Sequence, residues 1–296
     1  RTKALDLLDT FTNHRSENYQ KLMSSPITGE SACSRLSPYI SFGNISLQEI
    51  YQRVSLSNHN TMQQKKSINA FKKRLAWHCH FIQKFYDEPD IEYENMNAAY
   101  NGLRENSFNE QYFEAWKSGM TGYPFIDACM RYLTNRGWIN FRMRAMLVSF
   151  ASYQLWLDWR VTSKHLAKLF TDYEPGIHYS QFQMQSGTTG INTIRVYNPI
   201  KQSYDQDPQC MFIKKWVPEL INIPDSLAHE PWKLTYLEQQ SYDFKLGKDY
   251  PHPIVDNASS TKNARDKIWK IKSSAESKIL SKTVLQKHTS AVTNFS

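Results

Sequence analysis

The charged side chains best suited to chemistry in this sequence lie in apolar surroundings. Arg142 and Arg144 fall within a stretch, residues 138–157, that is apolar nearly all round. A buried guanidinium requires an anionic or hydrogen-bonding partner. Asp172 and Glu174 follow the end of a later helical stretch and are candidate partners. The pattern fits either a structural salt bridge or an ion pair that serves a bound ligand.

The other reactive side chains form no metal or nucleophile pattern. His78 and His80 are two residues apart on a predicted helix, so they point to different faces. His178 is a lone histidine in a polar segment, and such residues are more often structural than catalytic. No CxxC, GxGxxG or Walker A motif is present, and the cysteines are widely spaced, at Cys33, Cys79, Cys129 and Cys210. We therefore expect no metal site, and free thiols in a reducing, cytoplasmic compartment.

The spacing of apolar residues predicts an all-α fold. Glycine and proline are sparse, at 10 and 12 of 296 residues, and long stretches repeat at helical spacing. The segment from Asp172 to Asn198 is rich in Gly, Gln, Ser and Thr, so we expect mostly loop with a short helical piece. Residues 221–260 look irregular, and no apolar run is long enough to cross a membrane. Predicted helices cover 1–22, 62–86, 122–136, 138–157 and 206–217.

Basic charge is concentrated near the C-terminal end. Residues 262–287 hold eight basic and two acidic side chains, which is +6 of the net +8. A single amphipathic helix is predicted there from the apolar stripe Ala264, Ile268, Ile271, Ala275 and Ile279. We therefore divide the chain into a helical domain, 1–255, and a basic amphipathic helical extension, 256–296. The extension is either a solvated helix face or a surface that contacts nucleic acid.

Several motifs share one order and spacing. The segments are SRLSPYISFG (34–43), WKSGMTGYPFIDACMR (116–131), GWI (137–139), DWR (158–160), YNP (197–199) and Trp216 with PEL (218–220). Over residues 19–220 the sequence resembles the multi-helical FAD-binding C-terminal domain of the photolyase/cryptochrome family. The family's N-terminal α/β antenna domain has no counterpart in this chain, so we expect a missing antenna domain.

The resemblance implies an FAD folded into a U and assigns residues to it. Arg144 and Asp172 match an ion pair against the isoalloxazine ring, and Trp138 lines the same pocket. Glu174 stands where the family usually has Asp. The phosphates and ribityl chain are implied to contact Tyr19, Ser34, Arg35, Leu36 and Ser37. Short hydroxyls and backbone N–H groups suit a pyrophosphate.

At the flavin itself the sequence departs from the family pattern. His178 matches the residue that faces flavin N5, which is commonly Asn or Asp. A titratable histidine at that position implies flavin redox chemistry that depends on pH.

The implied substrate contacts are partly unusual. Trp77 matches a tryptophan that packs against a flipped-out pyrimidine lesion, and the cluster Lys72–Arg74 suits a basic rim. Met184 replaces a second stacking aromatic residue, and Phe141 replaces a base-contacting Asn. The candidate catalytic residues are therefore Trp77, Arg142, His178 and Met184.

The implied electron relay is interrupted. The family's three relay tryptophans correspond here to Asn106, Trp159 and Phe182. Phenylalanine is much harder to oxidise than tryptophan, so the hop through Phe182 is blocked. Trp159 and Trp156 are the candidate electron-transfer residues, and a substitute route has the further candidates Tyr153, Tyr173 and Tyr179.

Two functions follow from the resemblance, and a third reading remains open. The first is light-driven repair of UV-induced pyrimidine dimers in DNA by electron transfer from reduced FAD. The alternative is a cryptochrome-like blue-light photoreceptor with little or no repair activity, which the changed residues favour. A helical DNA-binding module without flavin is the third. The expected partner is damaged DNA, with no membrane association.

Overall fold

The computed structural model describes residues 1–57 and 61–288. Within these ranges the regular structure is helical, and the pairing of Leu246 with Tyr250 is an isolated bridge. This confirms the all-α prediction. The α-helices, in chain order, are α1 (Thr2–Asn13), α2 (Tyr19–Leu22), α3 (Pro26–Ala32), α4 (Ser37–Ser41), α5 (Leu47–Leu56), α6 (Met62–Asp87), α7 (Glu110–Ser118), α8 (Pro124–Arg136), α9 (Phe141–Ser149), α10 (Trp159–Leu169), α11 (Pro175–Ser186), α12 (Pro199–Gln206), α13 (Met211–Trp216), α14 (Asp225–Ala228), α15 (Tyr236–Ser241), α16 (Asn257–Ser273) and α17 (Ala275–His288).

Shorter helical turns connect these elements. A π-helical turn, Phe150–Gln154, continues α9 and is completely buried. Single turns of 3₁₀ helix lie at Arg15–Asn18, Pro89–Glu92, Ala98–Tyr100, Pro218–Leu220 and Pro231–Lys233.

Two apolar cores meet beside the SRLSPY segment. The larger core surrounds α8, α9 and α13, with Met146 and Phe150 fully buried. The smaller core joins α1, α5 and α6, where Phe11 packs against Phe71 at 4.7 Å between ring centroids. Cys33 packs against both cores. The residues that follow Cys33 are therefore held where the two cores meet.

A buried carboxylate fixes the turn that starts α8. Asp127 accepts hydrogen bonds from the Thr121 backbone N–H (2.9 Å), the Thr121 hydroxyl (2.6 Å), the Gly122 N–H (3.1 Å) and the Tyr250 hydroxyl. Burial raises the Asp127 pKa to about 6, although these hydrogen bonds oppose the shift. Gly122 has φ +78°, and a Cβ there would lie 2.3 Å from the His252 carbonyl oxygen. Gly122 of the GMTGYPFID segment is thus required by its left-handed conformation and by the close backbone contact.

The helix that begins at Pro175 corrects the prediction of a mostly loop segment. Residues 175–186 form a 12-residue helix, α11, with Pro175 at its first turn and Gly187 as a left-handed cap. Its polar composition concealed it, because buried polar residues such as Gln183 satisfy backbone groups of a neighbouring turn: the Gln183 side chain donates to the carbonyls of Ile91 and Glu94.

Other boundaries also differ from prediction. The predicted helix 1–22 ends at Asn13 and resumes as α2, since His14 leaves helical geometry. The predicted helix 206–217 begins only at Met211, because Pro208 follows the end of α12 at Gln206 and Cys210 has φ +50°. Asp207 then caps α13 by accepting from the N–H groups of Phe212 and Ile213. Residues 221–260, predicted to be irregular, contain α14 and α15.

The basic C-terminal segment forms two helices rather than one. In α16, Ala264 and Ile268 are buried against Tyr100 and Tyr153. The predicted stripe does not continue into α17, where Ile279 is 66% exposed, because Ser274 interrupts the helix and changes the facing side. Residues 289–296 of the predicted extension lie outside the described residues, and the division of the chain at residue 255 stays a prediction.

Removal of the Tyr250 hydroxyl tests the Asp127 anchor. We expect Tyr250→Phe to lower the free energy of unfolding by about 1.5–3 kcal/mol, because a hydrogen bond to a buried carboxylate is lost. Urea unfolding measures this change. Tyr86→Phe, at a tyrosine that is 83% exposed, is the matched control and should change stability by less than about 0.5 kcal/mol. Equal effects of the two substitutions would contradict the anchor.

Candidate cofactor site

The Arg144–Asp172 ion pair lies at the centre of the predicted site. Arg144, on α9, donates from Nη2 to Asp172 Oδ2 at 2.8 Å and from Nε to the Ile139 carbonyl at 2.7 Å. Its guanidinium carbon lies 4.2 Å from the centre of the Phe170 ring. The Asp172 side chain is only 3% exposed, and its Oδ1 accepts no hydrogen bond from a residue in the described ranges. A bound molecule with a donor group would satisfy that oxygen.

The SRLSPY segment turns sharply next to this pair. Arg35 has φ +61°, an unusual conformation for a residue with a side chain, and Leu36 behind it is buried. The Arg35 guanidinium stacks on the Trp138 ring at 3.9 Å. Ser34 and Ser37, on either side of this turn, are half-buried. The turn thus holds short hydroxyl side chains close to an aromatic wall.

Helix α4 connects this turn to the acidic segment. The Ser41 hydroxyl donates to the Tyr173 carbonyl at 2.7 Å, so the residue next to Asp172 is tied to the SRLSPY segment. Glu174 is the N-cap residue of α11 and is half-buried, but its carboxylate does not cap the helix. The structure therefore brings Ser34–Ser37 and Asp172–Glu174 to one side of the molecule.

Four arginines make this region strongly positive. Burial raises the Cys33 pKa to about 11, while the charges of Arg35, Arg74, Arg15 and Arg144 act against that rise. Arg15 donates to the backbone carbonyls of Cys33, Leu7 and Ser31 rather than to a carboxylate. The carboxylate nearest Arg35, that of Glu30, is 3.9 Å away. Only the Arg144 charge is closely matched by an acidic side chain.

These features fit FAD. Among the described residues, Arg15 and Arg74 have no carboxylate within 4.0 Å and Arg35 has only Glu30 at 3.9 Å, so a pyrophosphate would supply the missing negative charge. The Ser34–Ser37 turn offers hydroxyls beside them. Trp138, Phe170 and His178 offer flat surfaces for a ring system. Arg144, Asp172 and the Ser34–Ser37 turn would hold the cofactor, which supplies one- and two-electron chemistry when bound.

Tyr19, a predicted contact of the cofactor, lies in the smaller core. Its ring packs edge-on against Phe11 at 5.5 Å, and the Arg74 guanidinium lies 5.7 Å from it. Burial raises the Tyr19 pKa to about 12, so the hydroxyl stays protonated and is a hydrogen-bond donor at neutral pH.

His178 is buried in an aromatic group on α11. Its Nε2 lies 2.9 Å from the Ser163 carbonyl oxygen, and the ring centroid of Phe182 is 4.6 Å away. Burial, with a smaller contribution from Arg144, lowers the His178 pKa to about 4. The imidazole is therefore neutral near pH 7. The predicted pH sensitivity moves from the neutral range into the acidic range because the ring is desolvated.

The other predicted catalytic residues are more widely spread. Trp77 is 60% exposed on α6. Met184 is half-buried on α11, and Phe141 at the start of α9 is 55% exposed. Arg142 lines an open cavity of about 460 Å³ together with Lys21. No contact among the described residues joins Trp77, Met184 and Arg142 into one cluster, so their common role stays a prediction.

The two candidate relay tryptophans lie among cations. Trp156 has the Arg104 guanidinium 4.4 Å and the Lys267 ammonium 4.6 Å from its ring centre. Trp159 is buried, donates to Asn95 Oδ1 at 2.8 Å and has Arg160 at 4.9 Å. Arg160 is itself paired with Asp158 at 3.2 Å and Glu105 at 3.3 Å, so nearby positive charge opposes the removal of an electron chiefly from Trp156.

Sequence reasoning missed Arg15, Arg104 and Glu92. Arg15 and Glu92 lie in 3₁₀ turns, where no apolar period marks a side chain as inward-facing. Arg104 is 2% exposed and donates to the carbonyls of Ser152 and Ser186, yet it follows a segment with no helical pattern. A charged residue in a loop carries no local signal that it is buried.

Fold and site together define a helical domain that binds a flavin nucleotide. The family described as the FAD binding domain of DNA photolyase matches residues 71–270, and the chain belongs to this family. FAD is therefore its cofactor.

Individual relatives support the same assignment. The chain is 35% identical to a deoxyribodipyrimidine photo-lyase of Alkalihalophilus pseudofirmus, over 88% of this chain and 53% of that protein. It is 31% identical to a cryptochrome DASH of Synechocystis, over 86% and 51%. The crystal structure of a class III photolyase from Agrobacterium tumefaciens matches with a TM-score of 0.82 at 28% identity, over 92% of this chain and 56% of that one. The chain thus spans about half the length of the relatives it matches.

Two negative findings concern the described part of the chain only. No helix there is both long and apolar enough to cross a membrane. In the same ranges, no group of three His, Cys, Asp or Glu side chains is placed to hold a metal ion.

Loss of the Asp172 charge tests the flavin contact. We expect Asp172→Asn to weaken FAD binding at least tenfold and to shift the flavin absorption bands, because Arg144 loses its counter-charge. Glu219→Gln is the control, since Glu219 pairs with Arg131 at 2.9 Å outside the predicted site, although Glu219 is 27% exposed where Asp172 is 3% exposed. The control should lose stability without a change in the flavin spectrum. Unchanged FAD affinity in Asp172→Asn would contradict the site.

The His178 imidazole provides a pH test. Its folded-state pKa of about 4 is below the unfolded value, so its contribution to stability is complete above pH 6.5 and is lost as the pH falls through 4. We expect the His178 ring signal in an NMR titration of the apoprotein to move only below about pH 5. The signal is assigned by its absence in His178→Asn. A midpoint near 6.5 would show that the ring is not buried.

Proposed function

We propose that this domain is the catalytic part of a light-driven enzyme that repairs pyrimidine dimers in DNA. The observation that supports it most is the Arg144–Asp172 pair with its surrounding arginines, in a chain of the photolyase FAD-binding family. Its relatives from Alkalihalophilus pseudofirmus and Streptomyces griseus are named deoxyribodipyrimidine photo-lyases. Reduced FAD would supply one electron to the lesion and recover it after the dimer splits.

The exposed face of α6 supports binding of damaged DNA. Trp77 is exposed there, and Lys72 and Lys73 lie one turn before it. An exposed indole between basic side chains suits a base that has left the helical stack. Arg142 and Lys21, which line the same open cavity, add positive charge for the DNA backbone. The partner we propose is DNA with a flipped-out pyrimidine dimer. We also propose an antenna domain in the parent protein.

A photoreceptor is the second candidate function. Phe141, 55% exposed at the start of α9, offers no hydrogen bond to a base, and Met184 offers no aromatic surface. Relatives named cryptochrome DASH and cryptochrome-1 also match this chain. In this reading the flavin changes state under blue light and the protein repairs nothing. The free cysteines agree with a cytoplasmic setting for either function.

A repair assay, carried out with substitutions at two exposed aromatic residues, separates these functions. Chemically reduced, FAD-loaded protein is illuminated with blue light in the presence of an oligonucleotide that contains one thymine dimer. We expect loss of the dimer. Trp77→Ala should weaken binding of the damaged strand by roughly 1–3 kcal/mol, because one stacking surface is lost.

Tyr236→Ala is the control, since Tyr236 is 73% exposed on α15, outside both α6 and the basic C-terminal extension. It should bind and repair as the parent does. Absence of repair by the reduced parent protein, with the flavin fully bound, would favour the photoreceptor. Equal loss of binding in both variants would show that Trp77 has no special contact with the lesion.

A further inference from the structure

Two tyrosines and a carboxylate form a hydrogen-bonded chain beside the cofactor site. The Tyr173 hydroxyl lies 3.3 Å from the Tyr179 hydroxyl, and the Tyr179 hydroxyl lies 3.2 Å from Glu92 Oε1. The two rings meet edge to face at 6.4 Å. The chain runs from the acidic segment after α10 to the 3₁₀ turn Pro89–Glu92.

The inner end of this chain touches the residues assigned to the flavin. Tyr173 follows Asp172 directly, and its ring lies 5.2 Å from the His178 ring. The Tyr173 carbonyl accepts from Ser41, which fixes the residue against the SRLSPY segment. Tyr173, from which the electron would leave, is therefore the sequence neighbour of Asp172 in the Arg144–Asp172 pair.

The outer end is held rigidly and reaches the surface. Tyr179 stacks on Phe85 of α6 at 6.4 Å. Gly176 permits this contact, because a Cβ there would lie 2.9 Å from the Phe81 carbonyl oxygen. Glu92 is half-buried, so a proton that it accepts can pass to water.

The charges and proton acceptors around the two tyrosines favour the loss of an electron more than those around Trp156 and Trp159 do. Oxidation of Trp156 would place a cation between Arg104 and Lys267. Beside Trp159, Arg160 is itself paired with Asp158 and Glu105, so the objection to Trp159 concerns its proton rather than a neighbouring charge. The Trp159 N–H donates to a neutral amide, which is a poor proton acceptor. A tyrosine that passes its proton toward a carboxylate forms a neutral radical, so no new positive charge appears.

We propose that Tyr173, with Tyr179 and Glu92 as its proton path, is the electron donor that reduces photoexcited oxidised FAD in this protein. This inference rests on the proposed flavin photochemistry of the same site. One electron passes from Tyr173 to the flavin. The Tyr173 O–H proton moves to the Tyr179 oxygen as the Tyr179 proton moves to Glu92, which leaves a neutral Tyr173 radical and a protonated Glu92. A thiol in solution then returns a hydrogen atom to Tyr173 and becomes a thiyl radical, two thiyl radicals combine to a disulfide, and Glu92 releases its proton to water.

The test is photoreduction of the FAD-loaded protein in the presence of excess dithiothreitol. The loss of oxidised-flavin absorbance is followed under blue light, and the radical is trapped at low temperature for electron paramagnetic resonance. We expect a tyrosyl signal whose hyperfine pattern changes when the protein contains ring-deuterated tyrosine. Tyr173→Phe should remove the signal and slow photoreduction at least tenfold. Tyr179→Phe and Glu92→Gln should slow it and reduce the solvent deuterium isotope effect.

Tyr100→Phe is the matched control, because Tyr100 is 1% exposed, packs with Ala264 and Ile268, and has no assigned role in the cofactor site or the electron relay. It should photoreduce at the parent rate. Each variant is compared at equal FAD content and with an unaltered oxidised-flavin spectrum, which excludes a folding defect. A tryptophan radical, or photoreduction that is lost in Trp159→Phe and kept in Tyr173→Phe, would overturn the proposal. Repair is measured separately on the dithionite-reduced parent protein, so a failure to repair counts against the proposed function alone.

Discussion

The site depends on positive charge that the protein itself does not neutralise. The charges of Arg15, Arg35, Arg74 and Arg144 all act on Cys33. Arg144 pairs with Asp172 at 2.8 Å and Arg35 with the half-exposed Glu30 at 3.9 Å, whereas Arg15 and Arg74 have no ion pair with a described residue. Partly buried charges of one sign are costly, and their mutual repulsion is relieved when an anion binds among them. A dinucleotide whose phosphates lie there stabilises the folded domain by mass action. Bound FAD would therefore contribute to the stability of the folded domain.

The helices are arranged so that this charge is held in place. The SRLSPY segment lies where the two cores meet, so neither core can move without displacing it. Asp127 fixes the turn before α8, and α8 leads through Gly137 to Trp138 and to α9, which carries Arg144. Close contact at Gly176 sets α11 against α6. These constraints link the residues predicted to contact the phosphates to those predicted to contact the flavin ring.

Much of the framework could be predicted from the sequence. Helical spacing predicted the all-α fold, and the apolar run 138–157 predicted a buried helix with Arg144 inside it. The sequence indicated two candidate partners for Arg144, Asp172 and Glu174, and in the structure Arg144 pairs with Asp172. The motif order indicated FAD, which the family match confirms.

What could not be predicted depends on contacts that are distant in the chain. The full length of helix α11 was not predicted because its polar side chains serve backbone groups of another element, as Gln183 does for the 91–94 turn. The charge environment of Trp156 comes from residues 104 and 267, far away in sequence. The link from Tyr179 to Glu92 likewise spans 87 residues. Periodicity reports only on neighbours along a helix.

A crystal structure of the protein grown with FAD tests the central claim most directly. The account predicts one FAD per chain, with its phosphates at the Ser34–Ser37 turn among the four arginines and its ring system against the Arg144–Asp172 pair. A flavin bound elsewhere, or an ordered Ser34–Ser37 turn with no phosphate near it at saturating FAD, would contradict the account.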